Sequence, residues 1–175
     1  PQHGVRRAPL NCSLGVSMSE LQSPSAVADL VQLIDGWLSG FAESGDHVLA
    51  IDRGTSDETS FGEPRWYVRL AGEAKEIVTI WLTLGQRTLR YETYVMPAPE
   101  DNAAELAEQL LRRNDRLVGV HFSVGHEDAV YLRGAIPDSA VTEDELDRVV
   151  GTLYQTVEQA FPALIRLGFA RRFAS

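Results

Sequence analysis

Between Arg65 and Met96 the chain reads RWYVRLAGEAKEIVTIWLTLGQRTLRYETYVM, in which three alternating segments are broken by Ala71-Gly72-Glu73-Ala74 and by Gly85-Gln86. Period-two alternation puts successive side chains on opposite sides of a strand, so these segments fit an antiparallel meander and not helices. The predicted strands cover about 64–70, 75–84 and 87–96. A glycine at the first central position suits a type II′ hairpin, which pairs Leu84 with Arg87. Leu82 then faces Leu89, Ile80 faces Tyr91 and Val78 faces Thr93, giving an aliphatic face. On the other side Thr83 faces Thr88, Trp81 faces Arg90, Thr79 faces Glu92 and Ile77 faces Tyr94. An alternation this regular requires one buried face, and the aliphatic one is expected to be it.

Helices are expected on either side of the meander. Ser23-Pro24 combines an N-cap serine with proline at the first helical position. Val27, Leu30, Val31, Ile34, Trp37 or Leu38, and Phe41 follow on one stripe, predicting a helix over about 24–42. After the sheet breaker Met96-Pro97-Ala98-Pro99, a second and half-buried helix is predicted over about 100–113. Two further strands, Leu117–Val124 and Ala129–Ile136, flank the turn Gly125-His126-Glu127-Asp128. Thr142-Glu143-Asp144-Glu145 is a capping box that opens a long amphipathic helix, which Pro162 is expected to kink or divide near residue 158. Val48-Leu49-Ala50-Ile51 fits a short edge strand, and residues 52–62 read as a solvated acidic loop. The expected fold is α+β: a single antiparallel sheet of about five strands in the order α-β-β-β-α-β-β-α, with helices on one face.

A chain of 175 residues fits one domain. Residues 1–22 are expected to be a poorly ordered N-terminal tail ahead of a domain spanning 23–172. The tail does not read as a signal peptide, because Asn11, Ser13 and Gly15 interrupt its apolar run. The net charge of −9 argues against nucleic acid as partner. No apolar run reaches the length of a membrane span, and the single cysteine, Cys12, allows neither an intrachain disulfide nor a thiolate cluster. These features suit a cytoplasmic protein.

No HExxH, GxSxG, Walker or dinucleotide motif occurs, so no catalytic residue, metal site or cofactor is assigned. The Gly-His-Glu-Asp run has ordinary hairpin-turn chemistry. The mixed sheet face is either a partner interface or an ordinary outer face, and its candidate binding residues are Trp81, Arg90, Glu92, Tyr94, His121, Tyr131 and Arg133. Trp81 opposite Arg90 predicts a cation–π contact. An enzyme or small-molecule binder would use His121, Tyr131, Arg133 and Glu92. The apolar stripe of the last helix either simply covers the sheet or leaves a groove against the first helix for a partner's amphipathic segment, with Trp37 then exposed.

The run Trp81 to Asn102, WLTLGQRTLRYETYVMPAPEDN, followed by Leu110-Leu111-Arg112-Arg113-Asn114 and by Glu127-Asp128-Ala129-Val130-Tyr131-Leu132, resembles the actinobacterial branch of the YbjN-domain family. The resemblance covers about residues 25–170. It implies a fold similar to type III secretion chaperones, and a role as a sensory-transduction regulator or chaperone-like protein with no established enzymatic activity. A protein partner and a homodimer are expected on that basis.

Overall fold

The computed structural model describes residues 23–55 and 62–174; the N-terminal tail and the centre of the acidic loop, with Asp57 and Glu58, lie outside them. Six antiparallel strands form one sheet in the order β1-β2-β3-β4-β6-β5: β1 (Val48–Arg53), β2 (Arg65–Ala71), β3 (Ile77–Leu84), β4 (Thr88–Met96), β5 (His121–Val124) and β6 (Val130–Pro137). Three helices, α1 (Pro24–Ser44), α2 (Ala103–Asn114) and α3 (Glu143–Gly168), complete the α+β domain. The sixth strand is the edge segment at Val48, which extends the sheet beyond β2.

The helix starts follow their sequence signals. Ser23 accepts from the Ala26 N–H at 3.2 Å and Thr142 accepts from the Glu145 N–H at 3.2 Å, each satisfying a donor that the first turn leaves free. Glu145 does not close the capping box; it turns to Arg148 instead. Pro162 does not divide α3, which runs unbroken from Glu143 to Gly168; Pro162 is exposed while Ala160 and Leu164 stay buried.

One face of the sheet is the core. Trp66, Val68 and Leu70 of β2, Val78, Ile80 and Leu82 of β3, Leu89 and Tyr91 of β4, and Leu132 of β6 are buried there with Ile34 and Leu38 of α1 and the long stripe of α3. All five side chains expected to hold the helices, Val78, Ile80, Leu82, Leu89 and Tyr91, are at most 1% exposed. The Tyr91 hydroxyl donates to the Gly119 carbonyl at 2.8 Å, which removes the cost of burying it. Gly134, opposite Tyr91, makes room for that ring: a Cβ there would lie 2.3 Å from Tyr91 Cε2 and 2.2 Å from the Gly119 oxygen.

Three local expectations are corrected. The β3–β4 register is Leu84 with Leu89, Leu82 with Tyr91 and Trp81 with Glu92, two residues from the predicted pairing. The Gly85 N–H donates to the Thr88 carbonyl at 2.9 Å, so the chain reverses across Gln86-Arg87, one residue later than a turn centred on Gly85-Gln86. An even slip keeps every side chain on its face, and only the cross-strand partners change. Secondly, β5 starts at His121 and not at Leu117. Gly119 has φ +78°, a left-handed conformation that interrupts an extended run, and Val118 is left exposed. The Asn114 side chain then takes the place of a ladder partner, bonding both the N–H and the carbonyl of Phe122. Thirdly, Trp37 is buried. It stacks on Phe41 with centroids 5.1 Å apart and donates Nε1–H to Asp147 of α3 at 2.9 Å, so this indole is tied into the seam between α1 and α3.

Candidate functional site

The opposite face of the sheet carries no helix among the described residues. The registers align one residue from each strand into a row that crosses the whole sheet, Asp52, Tyr67, Trp81, Glu92, Arg133 and His121. Tyr94, Tyr131 and Ser123 belong to the adjacent row, and Arg65, Thr83, Arg90 and Ala135 to the row on its other side. All seven residues predicted as binding candidates therefore share one face.

They fall into one connected cluster and two outliers. Tyr131 is the hub: Trp81 approaches it at 6.2 Å between centroids, Tyr94 meets it edge-on at 5.6 Å, and the Arg133 guanidinium sits over its ring at 4.3 Å. Such tilted and edge-on contacts suit the ring quadrupoles. Arg133 Nε also donates to Glu92 at 2.6 Å across the β4–β6 ladder. The predicted Trp81–Arg90 contact is absent, because the two-residue slip sets Trp81 against Glu92 and Arg90 against Thr83. Arg90 pairs with Glu63 instead. His121 stands beside Arg133 at the β5 edge and is exposed.

The protonation chemistry of the cluster is already engaged. The Tyr131 hydroxyl donates to Glu127, and that bond, with burial, pushes its pKa up to about 12. The same bond holds the Glu127 carboxyl below its ordinary value. A general acid or base works best with a pKa near the working pH, and this tyrosine has been moved away from it. Glu127 comes from the turn read as structural, where Asp128 takes φ +59° and donates its N–H to Gly125 at 3.0 Å. No group of three His, Cys, Asp or Glu among the described residues is placed to hold a metal ion.

Sequence reasoning did not place Tyr67, Lys75 and Glu127 at this face. Tyr67 enters because β2 pairs it with Trp81, a register set by the five-residue connection 72–76 and recorded by no motif. Lys75, the single lysine of the chain, lies over the Tyr94 ring at 5.0 Å and donates to the Tyr94 carbonyl. Burial lowers its pKa to about 8, although the charge of Glu158 acts in the other direction. Glu158 reaches from α3 to the β2–β3 turn and accepts from the N–H groups of Glu73, Ala74 and Lys75 at 2.7, 2.8 and 3.1 Å. One helix carboxylate thus fixes the turn that presents Lys75.

Comparison with known proteins places this architecture among relatives that have names but no assigned activity. The model of the YbjN family, described as "Putative bacterial sensory transduction regulator", matches residues 45–166. An uncharacterized protein of Mycobacterium tuberculosis is 39% identical over 106 residues, a stretch that makes up 61% of this chain and 58% of that protein. One of Mycobacterium leprae is 33% identical over 128 residues, 71% of this chain and 69% of its own length. The chain thus spans less than two thirds of the length of the first of these relatives. Among solved structures, a chain of the heterodimeric ExoU-SpcU complex from the type III secretion system of Pseudomonas aeruginosa is 16% identical, with a TM-score of 0.48 over 74% of this chain and 95% of that one. A likeness at that level carries no inference about function.

Proposed function

This chain belongs to the YbjN family, and we propose that it is a cytoplasmic, non-enzymatic protein-binding module, regulatory or chaperone-like, that docks its partner on the open face of the sheet. The observation that carries this reading is the row Trp81, Glu92 and Arg133, flanked by Tyr94 and Tyr131, all half-buried on a face that carries none of the described helices. Aromatic and arginine side chains in a preordered patch are the usual anchors of protein interfaces. The rings hold one another in place, so less side-chain freedom is lost on docking.

The occupant we favour is a second copy of the chain. The face carries both signs, with Asp52 and Glu92 among Arg69, Arg90 and Arg133, and a two-fold axis can turn such a surface onto itself with unlike charges opposed. Sedimentation equilibrium over the micromolar range tests this. The wild-type protein is expected to dimerise, while Trp81→Ala and Arg133→Glu remain folded and monomeric. A wild-type monomer throughout that range, or variants that dimerise as well as wild type, would overturn the reading.

A further inference from the structure

On the helical side, away from the open face, the end of α2, the loop after it and α3 border a half-open hollow of about 460 Å³. That is within the range of small-molecule sites. Its wall is cationic in a chain whose net charge is −9: Arg112, Arg113 and Arg116 all line it, and no aspartate or glutamate does. Gln159 and Thr156 of α3 add neutral polar groups, while Leu117 and Phe122 supply an apolar wall.

The three arginines are not equivalent. Arg112 is held by Glu108 one turn back, an ordinary surface pair. Arg113 and Arg116 have no carboxylate partner among the described residues, and Arg113 Nε is buried with no acceptor at all. A charged donor buried without an acceptor is unfavourable in the fold unless a ligand supplies one. Compensation of the helix dipole accounts for a positive charge near the end of α2. It does not account for a guanidinium that lines a hollow without acids while its Nε is buried with no acceptor.

We infer that this hollow binds a phosphate monoester of a small organic group, with the phosphate between Arg113 and Arg116 and the organic part against Leu117 and Phe122. Two unpaired guanidinium charges match a dianion, whereas a monocarboxylate would neutralise only one. The planar fork of arginine suits the oxygens of phosphate. The space exceeds what a phosphate alone would fill, and the apolar wall needs a complementary group. The site shares no residue with the open sheet face, so its failure and the failure of the interface proposal are separate results.

Titration calorimetry of the full chain with phenyl phosphate tests the inference, with inorganic phosphate and benzoate as the two comparisons. Saturable binding of phenyl phosphate is expected, tighter than either comparison and weakening as salt is raised. Arg116→Gln, an exposed position, should weaken it by about tenfold or more, the equivalent of one charged hydrogen bond. Arg113→Gln should do the same without lowering the melting temperature, since it also removes a donor that has no acceptor in the fold, and Arg90→Gln on the other face should have no effect. No binding, binding that benzoate or inorganic phosphate matches, or binding indifferent to Arg116→Gln would each overturn it.

Discussion

Trp81 and Leu82 are neighbours in one strand with opposite surroundings. Leu82 is fully buried between the sheet and the helices, paired with Tyr91 across β3–β4. Trp81 is half-buried on the other face, paired with Glu92 and leaning on Tyr131. The covered face is mainly aliphatic and packs against the helices; the open face is aromatic and charged, with many of its contacts within the face. A burial requirement fixes the first face. No requirement of folding asks for six aromatic and charged groups in the second, and this asymmetry is the reason for reading it as a binding surface.

The largest expected effect separates the two faces directly. Leu82→Ala should cost about 2–5 kcal/mol in urea unfolding, the usual range for a large-to-small change in a packed core, and should leave self-association of the folded fraction unchanged. Trp81→Ala should cost about 1 kcal/mol, the scale of the ring contact it loses with Tyr131, and abolish association. If Trp81→Ala proved as destabilising as Leu82→Ala, the open face would be structural and the contrast would collapse.

A smaller effect concerns the turn that brings Lys75 to the open face. Burial pushes the Glu158 carboxyl up, but its three backbone hydrogen bonds and the Lys75 charge together hold it below the ordinary 4.5. Because the folded value is the lower one, Glu158 contributes stability that is complete above pH 4.5 and is lost as pH falls through the folded value. Glu158→Gln should therefore cost about 1–2 kcal/mol at neutral pH, with the difference from wild type shrinking in acid. A constant difference across that window would mean that the carboxylate charge does not hold the turn.

Asp138 should act in the opposite sense. It is 4% exposed in the short 3₁₀ turn Asp138–Ala140, both carboxylate oxygens lack donors, and burial raises its pKa above 3.8. A raised carboxyl penalises the folded state when ionised, so this penalty is relieved as pH falls through the folded value towards 3.8. Asp138→Asn should remove this contribution from the pH profile of the melting temperature while leaving the open-face behaviour intact. An unchanged profile would show that the carboxyl is not penalised in the fold.

Much of this architecture was legible because the signals are local. Ser23-Pro24 and Thr142 mark helix starts through their own hydrogen bonds, and strict alternation from Ile77 to Tyr94 sorts side chains between two faces regardless of register. What escaped depends on contacts distant in sequence. The β3–β4 partners turned on a one-residue shift of the reversal to Gln86-Arg87, so Arg90 was expected beside Trp81 and lies instead with Glu63. The stripe left open whether Trp37 or Leu38 is buried, and both are, because Asp147 of α3, distant in sequence, gives the indole N–H its partner. Arg112-Arg113 fitted the end of a helix equally well with or without a cavity beside them, and only the packing of α3 and Leu117 forms one. At β4 a bulge between Tyr94 and Met96 turns both Val95 and Met96 inward, which alternation alone does not predict.

The interface claim is tested most directly by oxidative footprinting of the aromatic side chains at concentrations below and above the association midpoint. On association, Trp81, Tyr67, Tyr94 and Tyr131 should become protected while Phe173, exposed at the end of the chain, reacts as before. Association that leaves the reactivity of the four sheet residues unchanged would contradict the account.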